Sequence, residues 1–124
     1  MKNLGNILIV EDDKWLAENY VRLLNSAGYK TSVVSDANDA IDSIDDNLPD
    51  AIILDVLLTG STAFALLHEL QSYGDTGVIP IILCTSIAKE LSIKDLASYG
   101  VQQILDKTTM IPDDLVTAVR RVLL

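Results

Sequence analysis

Five short apolar runs alternate along the chain with longer segments of helical period. Ile7-Leu8-Ile9-Val10 is apolar at every position and closed by acids, the pattern of a strand buried on both faces. From Asp13 to Ala27, the residues Leu16, Tyr20, Leu23, Leu24 and Ala27 fall on one helical face, and Gly28 stands where a C′ glycine ends a helix. Lys30 to Val34 reads as a second strand. Asp36 to about Asn47 places Ala37, Ala40, Ile41 and Ile44 on one face and stops before Pro49. Ala51 to Leu54 is the third strand, followed by a helix from about Ser61 to Tyr73 carrying Ala65, Leu66 and Leu70. Ile79 to Cys84 is the fourth strand, with Pro80 at its start, where a missing N–H is tolerated. A helix from about Ala88 to Tyr99 ends at Gly100, and Val101 to Leu105 is a weaker fifth strand. Pro112 opens a last helix, which runs to the terminus and buries Leu115, Val119 and Val122 or Leu123.

This is a (βα)5 pattern. Strands separated by helices pair in parallel through right-handed crossovers, with helices on both faces of the sheet. Five units are too few to close an eight-stranded barrel. The expected architecture is α/β, a doubly wound parallel five-stranded sheet of order 2-1-3-4-5, with a ligand crevice at the carboxyl ends of the first and third strands. The 124 residues suit one domain, undivided by linker, repeat or low-complexity stretch. No residues remain after the last helix for an effector domain, so output is expected to pass through docking.

Composition narrows the partners. Apolar residues make up 49% and charged residues 22%, ordinary globular values that argue against disorder. Nine Lys and Arg against 18 Asp and Glu leave a formal charge of −9, which repels phosphate backbones and anionic lipid, so no direct nucleic-acid or membrane partner is expected. No run approaches the ~18 apolar residues of a membrane span, and the residues from Met1 lead into only a short apolar run rather than a signal peptide. The expectation is a cytoplasmic protein. The single cysteine, Cys84, lies in an apolar run and reads as a buried, inert thiol.

The strand ends carry the candidate chemistry. The first ends in Glu11-Asp12-Asp13, the third in Asp55, the fourth in Thr85-Ser86 and the fifth in Asp106-Lys107. Neighbouring strands lie about 4.8 Å apart, so Asp12 and Asp55 are expected side by side. Carboxylates that close repel one another unless a cation joins them, and an all-oxygen set suits Mg²⁺ or Mn²⁺ better than zinc. Such a site can carry out phosphoryl transfer, with Asp55 as nucleophile, Thr85 donating a hydrogen bond and Lys107 offsetting charge on the phosphoryl oxygens. Each residue also has a plainer reading: Asp13 as a helix cap, preferred over ligation, Thr85 as another cap, and Lys107 as a solvated surface residue. The joint occurrence, one group on each correct strand, carries the inference.

With these residues in place, the whole chain resembles the receiver domain of two-component response regulators, a flavodoxin-like fold. Ile7 to Asp13 is similar to the family's first strand and acidic pair, here Glu11 and Asp12. Ala51-Ile52-Ile53-Leu54-Asp55 is similar to its phosphoacceptor strand, Ile82 to Ser86 to the strand with the switch hydroxyl, here Thr85, and Gly100 to Lys107 to the segment ending in the active-site lysine. The resemblance implies that Asp55 accepts a phosphoryl group and that Asp12 and Asp55 bind Mg²⁺ (or Mn²⁺). Glu11 would act through water, and Leu57 would lend a backbone carbonyl. It further implies a histidine kinase or histidine-phosphotransfer protein as donor and an unidentified downstream protein as receiver of the signal. A homodimer through the face of the fourth helix, fifth strand and fifth helix would also fit. Enzymatic activity would be limited to the chain's own phosphorylation from a donor and its own dephosphorylation.

The chain departs from the family pattern at Thr59 and Ala63, where proline and glycine are usual, at Ile104, where the switch position is usually aromatic, and at Thr108, where a cis-proline usually follows the lysine. A cis bond before a non-proline residue costs about 3 kcal/mol, and a trans bond is expected to displace Lys107 from the crevice. Ile104 implies a weakened or rerouted readout. Leu57 and Ile87, both apolar, border the expected water path and imply a slowly hydrolysing phosphate. Trp15 reads as core packing, with a docking anchor for a helical phosphotransfer partner as the sharper alternative; His68 reads as surface. Competing functions are a pseudo-receiver that binds partners without phosphorylation, an aspartyl-nucleophile phosphohydrolase, disfavoured by Leu57, and a nucleotide or flavin binder, disfavoured by the lack of a glycine-rich phosphate loop.

Overall fold

A computed structural model describes residues 3–57 and 63–124. The elements are β1 (Asn6–Val10), α1 (Lys14–Ser26), β2 (Lys30–Val34), α2 (Ala37–Asp46), β3 (Ala51–Leu54), α3 (Ala63–Gln71), β4 (Ile81–Thr85), α4 (Ile93–Leu96), β5 (Val101–Asp106) and α5 (Pro112–Val122). The strands form one parallel sheet in the order β2-β1-β3-β4-β5, as the sequence pattern predicts.

The apolar strands β1, β3 and β4 are buried along both faces. Side chains alternate across a strand. Leu8, Val10, Ile52, Leu54, Ile81 and Leu83 therefore pack in one layer with Ala40, Ile44, Leu66 and Leu67 of α2 and α3. Ile7, Ile9, Ile53, Ile82 and Cys84 pack in the other with Tyr20, Leu24, Leu115 and Val119 of α1 and α5. Each fully buried Leu or Ile stabilises by about 1.5–3 kcal/mol relative to exposure, so these layers hold the strand ends rigidly. Polar groups set the helix starts: Asp13 accepts from Leu16 N–H at 3.1 Å and Asp36 from Asp39 N–H at 2.8 Å. Gly28 follows α1 with φ +102°, a conformation that side chains resist.

The segment 88–99 departs from the single helix its pattern predicts. Ala88–Glu90 is a 3-10 turn, Leu91 is extended, α4 covers only Ile93–Leu96, and a second 3-10 turn spans Ala97–Tyr99. Ser92 adopts the extended backbone of an N-cap and restarts the helix, and only Leu96 of α4 is buried, so little packing holds a continuous helix together. The fourth strand begins at Ile81, after Pro80, since proline offers no N–H to the ladder. The last helix stops at Val122, short of the terminus. In β5 the register shifts: Ile81 pairs with Val101 and Ile82 with Gln103, so Gln102 is an extra, bulged residue. Thr59 and the expected helix start at Ser61 lie outside the described residues.

Candidate functional site

The carboxyl ends of the strands bring the predicted groups together. Val10 is the register partner of Leu54, so Glu11 and Asp55 leave the sheet side by side, with Asp12 one residue further on. Glu11 and Asp55 are 3% and 5% exposed, whereas Asp12 is exposed. Backbone donors hold both buried acids: Asp13 N–H reaches Glu11 Oε2 at 3.1 Å and Leu57 N–H reaches Asp55 Oδ1 at 3.0 Å. Asp13 itself is the N-cap of α1, as its plainer reading has it.

Lys107 closes the cluster from β5. Its Nζ lies 2.5 Å from Glu11 Oε1 and 2.8 Å from Asp55 Oδ2. No described peptide bond is cis, so Lys107–Thr108 is trans, yet the ammonium is not displaced. That corrects the expectation drawn from Thr108. Its backbone explains why: Lys107 N–H donates to Thr85 O at 3.0 Å, pinning the residue to the end of β4. Burial alone would lower the Lys107 pKa, but hydrogen bonds and charge from Asp55 and Glu11 hold it above its ordinary value. Burial raises the Glu11 pKa, and Lys107 and the Asp13 N–H offset part of that rise.

The acids fit a divalent cation. Glu11, Asp12 and Asp55 each offer an oxygen within 4.8 Å of the others. When ionised they place three negative charges against one ammonium, an excess that one dication balances. Oxygen donors with one exposed flank suit Mg²⁺ or Mn²⁺, which keep several waters. A cleft of about 320 Å³, lined by Glu11, Asp12, Lys14, Val34 and Asp39, opens beside them.

The remaining predicted residues range from fully buried to exposed. Thr85 is fully buried, and its hydroxyl accepts from Ile87 N–H at 3.4 Å. Ile87 is half-buried and Leu57 is 50% exposed, and both present apolar side chains. Ile104 is half-buried and lines a cleft of about 450 Å³ with Ala88, Leu91 and Ile93. His68 is exposed on α3. Trp15 is 70% exposed in the first turn of α1, which overturns its reading as core packing: Leu16, Ala17 and Tyr20 face the interior and leave position 15 outside. Cys84 is buried, as expected, 3.3 Å from the Tyr20 hydroxyl. One feature escaped the sequence reading, a clasp between Asp106 and Thr108 beside the lysine. Its signal is Asp-Lys-Thr, an acid two residues before a threonine, which favours a local side-chain turn.

Comparison with known proteins points in one direction. Residues 7–120 match the family model described as the response regulator receiver domain. The response regulator MprA of Mycobacterium sp. (strain KMS) is 35% identical over 80 residues, covering 64% of this chain and 34% of that protein. The chain thus spans about a third of the length of the curated relatives it matches. A protein assigned as a response regulator in Chloroflexus aurantiacus J-10-fl superposes with a TM-score of 0.84 at 31% identity, over 98% of each chain. The signal receiver domain of a signal transduction histidine kinase from Syntrophus aciditrophicus superposes with a TM-score of 0.81 at 31% identity, over 96% of this chain and 89% of that one.

Proposed function

The chain belongs to the response regulator receiver domain family of two-component systems, and from that premise we propose that it accepts a phosphoryl group on Asp55 and signals by protein docking. The observation that carries this reading is the Lys107 ammonium set between Glu11 and Asp55 at the ends of neighbouring strands. The donor is the phosphohistidine of a histidine kinase or a histidine-phosphotransfer protein. An Asp55 oxygen attacks phosphorus, the P–N bond breaks with its electron pair staying on the imidazole, and an aspartyl phosphate remains. Lys107 then shifts its contact from the carboxylate to a phosphoryl oxygen and offsets its charge. The Thr85 hydroxyl donates a hydrogen bond to another phosphoryl oxygen in this reading.

Asp12 and Asp55, with Glu11 through water and the Leu57 carbonyl, would hold Mg²⁺ or Mn²⁺. The ion, when bound, neutralises charge on the phosphoryl oxygens. The chain's own residues supply the rest: the Leu57 N–H and Lys107 fix the two Asp55 oxygens before the donor arrives.

Intact-mass spectrometry after incubation with Mg²⁺ and acetyl phosphate tests the reading. One added phosphoryl group is expected on the wild type and none on Asp55→Asn or without Mg²⁺. An unmodified wild type that also fails to bind beryllofluoride overturns it in favour of a phosphorylation-independent binding module.

A further inference from the structure

We propose that Asp106 and Thr108 are positioning residues for Lys107, forming a side-chain clasp that aims the ammonium across the end of β4 at Asp55. The inference rests on the phosphoacceptor reading above. Asp106 Oδ1 accepts twice from Thr108, from the backbone N–H at 2.9 Å and from Oγ1 at 2.6 Å. The Asp106 carbonyl accepts from Thr109 and Met110 N–H at 3.1 and 2.9 Å, so the turn after β5 is bonded at every step. Lys107 sits inside this turn with its own N–H on Thr85 O.

The geometry gives the clasp a task. Asp106 is the last register partner of Thr85, so the chain leaves the sheet at Lys107, and nothing in the ladder fixes the following residue. Thr108 brings a backbone N–H that a proline would lack, a donor that can tie the turn to a partner within the chain. Asp106 supplies that partner, and the Thr108 hydroxyl doubles the link. The two bonds together hold the Asp106 carboxyl below its ordinary pKa, as bonds accepted by a carboxylate do. Alternation along β5 sends Asp106 and Lys107 to opposite sides, with Asp106 lining the cleft near Ile104 and Lys107 over the carboxylates. The carboxylate therefore acts on the lysine through the backbone, without touching it or competing for its charge.

The test compares phosphorylation rates from acetyl phosphate with crystal structures of the variants. Asp106→Ala is expected to slow phosphorylation by about tenfold or more, since small misplacements of a catalytic group have effects of that size. Asp106→Asn, which keeps Oδ1 as an acceptor, restores the rate, and Thr108→Ser does so as well. In a Lys107→Ala background, Asp106→Ala is expected to add nothing, whereas a general loss of structure would still lower the rate. Crystal structures should show Nζ withdrawn from Asp55 in Asp106→Ala and retained in Asp106→Asn. An unchanged rate in Asp106→Ala, a loss that persists without Lys107, or an undisturbed Nζ contact overturns the clasp. If the wild type takes no phosphoryl group, the phosphoacceptor reading fails while the crystal structures still decide the clasp.

Discussion

The ammonium of Lys107 meets Oδ2 of Asp55 at 2.8 Å across the end of β4, although their strands, β5 and β3, are not neighbours. Two strand spacings are about 10 Å, a gap that a lysine and an aspartate side chain close only by pointing at each other. The contact is part of the fold as well as of the chemistry. Lys107→Ala leaves two buried carboxylates facing each other without a cation, a situation that commonly costs about 3–5 kcal/mol. Denaturant unfolding of Lys107→Ala without Mg²⁺ is expected to show a loss of that order, and saturating Mg²⁺ to recover part of it. Phosphorylation from acetyl phosphate should fall by about a hundredfold with Mg²⁺ present, since a charge-assisted contact to the phosphoryl oxygens is gone.

Repulsion among Glu11, Asp12 and Asp55 makes metal binding and stability opposed demands on one cluster. Without a cation, Asp12→Asn removes one of three close charges and should raise the melting temperature. With Mg²⁺ the order reverses. The wild type gains about 2.7 kcal/mol at a hundred times its dissociation constant, and Asp12→Asn gains little. Thermal melts of both proteins with Mg²⁺ and with EDTA check the crossing.

The sheet and most of the site were legible because they are written in periodicity and strand-end chemistry. Ile52, Ile53 and Leu54 are apolar without a break, so Asp55 could only stand at a strand end, and parallel order puts it near the acids after β1; the pattern pairs it with Asp12, whereas the register of Val10 with Leu54 sets it beside Glu11. The region after β4 was less legible. Ala88 to Tyr99 has helical spacing, but Leu91 and Ser92 are extended and Leu96 alone is buried in α4, so tertiary packing does not enforce the period. Trp15 misled because size suggested burial, when its angular position beside Leu16 and Ala17 already placed it outside. Thr108 misled in the opposite sense: the bond before it is trans, yet Lys107 stays in place with its N–H on Thr85 O.

Leu57 and Ile87, two residues beyond Asp55 and Thr85, carry apolar side chains that cannot orient a water. The aspartyl phosphate is expected to hydrolyse slowly. Leu57→Asn places an amide at a half-exposed rim position and should shorten the phosphate lifetime by about tenfold, the rate change that corresponds to about 1.4 kcal/mol of barrier. Decay of the phosphorylated mass in Mg²⁺ after the acetyl phosphate is removed, for wild type and variant, measures it; equal lifetimes would remove these residues from the water path.

Trp15 stands 70% exposed in the first turn of α1, three residues after Asp12. Trp15→Ala should leave unfolding stability within about 0.5 kcal/mol, as surface changes do. Phosphorylation by acetyl phosphate should be unaffected. Transfer from a phosphohistidine protein should weaken by about thirtyfold in kcat/KM if the indole is an interface hot spot worth about 2 kcal/mol. The contrast between small-molecule and protein donors isolates docking from chemistry.

Cys84 and Tyr20 share a buried contact of 3.3 Å beneath the site. Burial pushes the thiol from 9.0 up to about 11, and the nearby Tyr20 hydroxyl is raised as well, chiefly by its own burial. The thiol therefore stays protonated in the folded protein at a pH where the unfolded chain ionises. The sign follows directly. Stability is unaffected below about pH 9 and falls as pH rises toward about 11, at up to about 1.4 kcal/mol per unit for each linked proton. Denaturant unfolding between neutral pH and about pH 10.5 should show this loss, and Cys84→Val should flatten part of it, leaving the share due to Tyr20 and Lys107. Iodoacetamide gives a second reading of the same burial: at about pH 8 the folded protein should resist alkylation, and modification should appear only where denaturant unfolds the chain.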